Sequence, residues 1–156
     1  LFALQPDAAS FDLARTTTHP RLWRARRAAL IGRVLDTDDA PWLVPLLLGE
    51  ADAEDVLIQL TRDHVRRDAT VVAALAALQD MHPKRAFDEA CAALLRWATG
   101  APSRSGQHAR ELAAQSHAQA IQRAAAALGQ PALADAWLGL ARRELADVAP
   151  ALRRVL

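Results

Sequence analysis

The chain has 156 residues, 52% of them hydrophobic, a formal net charge of +1 and one cysteine. That length suits a single domain, 1–156, with a core of its own, and the near-balanced charge supplies no global field to draw in nucleic acid or an acidic membrane. Cys91 alone excludes an intramolecular disulfide and argues against a cysteine metal site, and no apolar run reaches the ~20 residues that span a bilayer.

Most of the hydrophobic share is Ala and Leu, the strongest helix formers, while Tyr is absent and Val and Ile are sparse. No segment alternates β-branched and aromatic residues with period two. The expectation is an all-α chain of about eight helices joined by short connections, hence antiparallel neighbours. Nearly all basic residues are Arg, with Lys84 the exception, as a GC-rich bacterial genome would produce. No signal peptide is visible, which points to the cytoplasm. The first residue is Leu rather than Met, which leads us to expect a trimmed chain or a piece of a larger one.

In chain order, Pro6 and Asp7 open a short helix through Leu13, and the run Thr16-Thr17-Thr18-His19-Pro20 breaks it. Thr18 or His19 caps the next helix, with Pro20 in its first turn, and that helix runs to about Leu35. Its wheel is mixed: Leu22, Ala29 and Leu30 share a side with Arg26 and Arg33, whereas Arg24 and Arg27 point elsewhere. Residues 36–39 form an acidic turn in which Asp39 caps a short helix with Pro41 just inside it, ended by Gly49. Asp52 caps the following helix, where Val56, Leu57, Leu60 and His64 make one face. Asp68 caps a helix to Asp80 with Val71, Ala74, Leu75 and Leu78 inward, unless one bent helix covers 53–80.

After Met81-His82-Pro83, the helix from Lys84 to Thr99 buries Phe87, Cys91, Leu94 and Ala98 and exposes Arg96 and an Arg85–Glu89 pair. Residues 100–106, Gly-Ala-Pro-Ser-Arg-Ser-Gly, are the best candidate hinge. An Ala-rich helix from Gln107 to Leu128 turns His117, Ile121 and Ala124 inward, and Gly129 stops it. Pro131 starts another with Leu133, Trp137 and Leu140 inward, and Pro150 precedes a short tail helix.

Arg26-Arg27-Ala28-Ala29-Leu30-Ile31-Gly32 resembles the end of the second helix of a HEAT repeat. Asp39-Ala40-Pro41-Trp42-Leu43-Val44-Pro45-Leu46-Leu47 resembles the first helix of the next repeat. His64-Val65-Arg66-Arg67-Asp68-Ala69, followed by Leu75 and Leu78, resembles the family's Val-Arg signature. The resemblance covers about residues 20–80, with the two Arg-Ala signatures about 40 residues apart. It implies stacked antiparallel helix pairs, a HEAT-like α-solenoid with an irregular bundle as the alternative, and a groove that binds another macromolecule.

Five arginines fall between Arg21 and Arg33, and no acid lies between Asp12 and Asp36. Arg24, Arg26, Arg27 and Arg33, with Trp23 beside them, are the candidate partner-binding residues, since guanidinium groups grip carboxylates and phosphates. The competing account pairs them inside the chain with Asp36, Asp38 or Asp39, or with acids on the next layer. The five histidines include no HExxH or His-Asp pattern, and the acidic turn lacks the Gly and downstream Glu of an EF-hand loop. Cys91 reads as a buried thiol. No metal or other cofactor is expected. The reading is a non-catalytic scaffold for a macromolecular partner, most simply a protein. The alternatives are a nucleic-acid-binding repeat using helix 21–33, a small enzyme with a pocket around His64 or His117, and a structural piece of a larger chain.

Overall fold

The computed structural model describes residues 7–63, 67–100 and 106–155. Among them the protein is all-α: nine helices and no strand. They are α1 (Ala8–Thr17), α2 (Pro20–Thr37), α3 (Leu43–Leu47), α4 (Ala53–Asp63), α5 (Asp68–Met81), α6 (Pro83–Thr99), α7 (Gln107–Ala127), α8 (Pro131–Glu144) and α9 (Pro150–Val155). Extensive packing joins helices one or two places apart in chain order, as α5 with α6 and α7, or α7 with α8 and α9. One hydrophobic cluster draws residues from every helix, from Phe11 to Leu152.

Local chemistry sets most of the helix ends. Asp7 caps α1 by accepting the Ser10 N–H at 2.7 Å. Helix α1 continues past the expected stop at Leu13 to Thr17, and the Thr16 and Thr17 hydroxyls donate back to the Leu13 carbonyl inside the helix. Nδ1 of His19 caps α2 through the Arg21 N–H, with Pro20 at the first position. Gly129 adopts φ +72°, the left-handed turn that ends α7. Helices α4 and α5 are separate rather than one bent rod. His64 and the hinge positions 101–105 lie outside the described residues.

Three wheels differ from expectation. On α2 the buried stripe is Trp23, Arg27, Leu30, Ile31, Val34 and Leu35. Leu22 and Ala29 are exposed. On α8 the core positions are Ala134, Leu138 and Ala141. Leu133 and Leu140 stand outside at 40% and 48% exposure, and Trp137 is half-buried. Small residues let α8 approach α7 on its alanine face, and the larger side chains rotate outward. On α6, Glu89 is buried rather than exposed, and Arg96 is half-buried. Glu89 takes Arg62 of α4 and Arg96 as partners, and Arg85 reaches Glu54 instead of Glu89.

The acidic turn is also used differently. Asp39 does not cap the helix that follows it. It reaches across to α5, where its carboxylate accepts the N–H groups of Ala69 at 2.9 Å and Thr70 at 2.8 Å. Arg67, at the cap position of α5, offers no side-chain cap, so the open N–H groups of that helix take their acceptor from the α2–α3 turn. Asp68, the expected cap, instead meets His117.

Candidate functional site

Helix α2 holds itself to the rest of the molecule through long side chains rather than close backbone packing. The Trp23 ring meets Phe11 edge-on at 5.6 Å, and its indole N–H donates to both carboxylate oxygens of Glu50, at 3.0 and 3.1 Å. One turn later Arg27, only 4% exposed, donates from one terminal nitrogen to Glu50 at 2.9 Å and to Asp52 at 2.8 Å. Its other terminal nitrogen donates to Asp52 at 2.7 Å. These charge-assisted bonds raise the Arg27 pKa above its ordinary value, against the opposing effect of burial. The Asp52 carboxyl is held below its usual range, chiefly by the same bonds to Arg27.

Trp23 and Arg27, expected as partner-binding residues, are therefore internal. They sit one helical turn apart on the same stripe as Leu30 and Val34, and Glu50 and Asp52 make burial of a guanidinium tolerable. Neither acid stands in the 36–39 turn; both lie just before α4, outside the turn but among the more distant acids that the competing account allowed. The alignment of 23 and 27 with the apolar positions of α2 was the signal in the sequence that marks them as inward.

The remaining arginines face solvent. Arg24 is 82% exposed and lies 3.6 Å from Asp52. Arg21, Arg26 and Arg33 are exposed, and their guanidinium groups have no partner among the described residues. The 100° step of the helix arranges them on two edges, Arg21 and Arg24 on one side, Arg26 and Arg33 on the other. Between the edges runs a strip of small residues, Ala25, Ala29 and Gly32, with Leu22 at its start, 64% exposed. This strip is the part of the site that the wheel drawn from sequence missed, because it centred the apolar side on Leu30.

Beside the Arg21/Arg24 edge a groove of about 390 Å³ separates α2 from α4. Ala28, Ile31 and Gly32 of α2 and Val56 and Leu60 of α4 line it. Arg24 stands on one lip and Asp55 and Asp63 on the other. A second, more open groove of about 750 Å³ lies between α5 and α7, over Ala69, Val72, Ala73 and Leu112.

The other sequence candidates take ordinary places. His117 is 1% exposed, with Nε2 3.3 Å from Asp68 and the ring 6.0 Å from Trp97. The α5–α7 groove is lined by Asp68 but not by His117. His82 lies 3.1 Å from Glu54 on the surface. Burial pushes the Cys91 thiol up to about 12. Among the described residues, no three His, Cys, Asp or Glu side chains are grouped to hold a metal ion, and no helix is long and apolar enough to cross a membrane. In comparisons with protein-family models, curated proteins and solved structures, nothing matches this chain.

Proposed function

We propose that the protein is a non-catalytic, HEAT-like helical-repeat scaffold whose exposed α2 face binds an acidic helix of a protein partner. The observation that carries this reading is the pair of arginine edges flanking a strip of small residues on α2. Alanine and glycine allow a second helix to lie close, and arginine on both sides offers bidentate partners to carboxylates on both of its edges. The extensive contacts among the described residues join helices one or two places apart in chain order, which supports the repeat reading. Charge next to the strip favours protein over nucleic acid: Asp55 and Asp63 lie just beyond the Arg24 edge and would repel a continuous phosphate backbone.

The test is fluorescence anisotropy with three labelled probes: a Glu/Ala-rich helical peptide, a duplex DNA and a single-stranded RNA. The peptide is expected to bind, and Arg26→Ala with Arg33→Ala to weaken it by about tenfold without moving the melting temperature. Peptide binding that ignores all four exposed arginines sinks the reading. Tighter capture of either nucleic acid, with a steep salt dependence, replaces it with the nucleic-acid alternative.

A further inference from the structure

Gly32 sits in the interior of α2, half-buried. A helix-interior glycine weakens its helix relative to alanine, so its presence asks for a reason. The backbone supplies none, since Gly129 is the glycine with positive φ among the described residues. Packing supplies none, since a Cβ at Gly32 would meet no atom within 4 Å. Gly32 lines the α2–α4 groove where that groove meets the small-residue strip, so a side chain longer than alanine's would extend into it.

We infer that the α2–α4 groove is an anchor pocket, which takes one bulky apolar side chain projected past Gly32 by the helix that docks on α2. The inference rests on the α2 docking reading above and names what that partner must carry. A volume of about 390 Å³ holds a large side chain with room for its backbone neighbours, and Ala28, Ile31, Val56 and Leu60 give aliphatic surface on both walls, beside Arg27, Asp52 and Gln59. The lips fix the chemistry further. Arg24 receives a carboxylate on the side of the docked helix, whereas Asp55 and Asp63 on the far lip repel one. The anchor is therefore neutral and apolar, set within an otherwise acidic surface. Such a residue, desolvated in a pocket and ringed by charge pairs, is the usual site of concentrated binding energy in an interface.

Two Glu/Ala-rich helical peptides test this, identical except that one carries Phe at its centre and the other Ala. Both are titrated against the unaltered protein, Gly32→Ala, Gly32→Leu and the Arg26/Arg33 double variant, with circular dichroism and melting checked for each. The Phe peptide is expected to bind at least about tenfold more tightly. That gain should persist in Gly32→Ala, whose added methyl group meets nothing, and vanish in Gly32→Leu, which fills the groove. Equal affinity of the two peptides, or a gain that survives in Gly32→Leu, overturns the anchor while leaving the α2 docking face standing. Failure of both peptides to bind removes the docking face and the anchor with it. Should Gly32→Leu misfold, Val56→Phe, at a partly buried position of the same groove on α4, carries the same expectation.

Discussion

Asp39 and Thr70 close a ring across 31 positions of sequence. The Asp39 carboxylate accepts the Thr70 N–H at 2.8 Å and also the Thr70 hydroxyl, and that hydroxyl oxygen accepts the Ala40 N–H at 2.8 Å. The turn after α2 and the start of α5 thus satisfy each other's open backbone donors. Asp39→Ala is expected to destabilise the protein by about 1–2 kcal/mol, the scale of a lost helix cap. Thr70→Val should cost a similar amount, about 1–3 kcal/mol, because it strands the buried Ala40 N–H. Chemical denaturation of both variants checks this; no loss in either means the ring contributes nothing in solution.

Arg27 and Asp52 give a prediction with a pH signature. Arg27→Ala leaves Glu50 and Asp52 facing each other without their cation, and should cost about 3–5 kcal/mol. Arg26→Ala, one residue away, should stay within about 0.5 kcal/mol. Equal melting temperatures for these two neighbours would show that Arg27 is not internal.

The folded Asp52 carboxyl titrates below its ordinary value of 3.8, so the unfolded chain holds that proton more tightly. The stability it contributes is complete above the unfolded value and fades as pH falls through the folded one. Asp52→Asn should therefore flatten the acid limb of stability below about pH 4. An unchanged acid limb in urea titrations between neutral and acid pH would contradict the assignment.

The two faces of α8 are only two residues apart in sequence. Leu138 is buried and Leu140 is half exposed. Leu138→Ala should cost about 2–5 kcal/mol, as should Leu60→Ala and Leu75→Ala, at positions buried as expected. Leu140→Ala and Leu133→Ala should each stay below about 1 kcal/mol. A reversed order for Leu138 and Leu140 would return α8 to the wheel drawn from its sequence.

Cys91 is buried with its pKa pushed up to about 12. The thiolate is the reactive form, so a disulfide reagent at pH 8 should leave the native protein unlabelled and react on unfolding. Prompt labelling of the folded protein would show that the α6 stripe opens.

The sequence by itself determined the helical class, most helix ends, the inner faces of α5 and α7, and the apolar stripe of α6. Each of these depends on residues within a turn or two. Pro20, Pro83, Pro131 and Pro150 start helices; Gly129 ends one; Val71, Ala74, Leu75 and Leu78 repeat at helical spacing. Tertiary structure decided what spacing cannot weigh. Arg27 is buried because Glu50 and Asp52, more than twenty positions away, arrive beside it. Asp39 caps α5 rather than its own helix because the fold leaves α5 without a local acceptor. Glu89 is internal because Arg62 reaches it from α4. Leu133 and Leu140 are outside because α8 meets α7 on alanine. A charged residue is inward or outward according to whether a partner reaches it in space, and a leucine yields its place wherever a smaller residue lets two helices come closer.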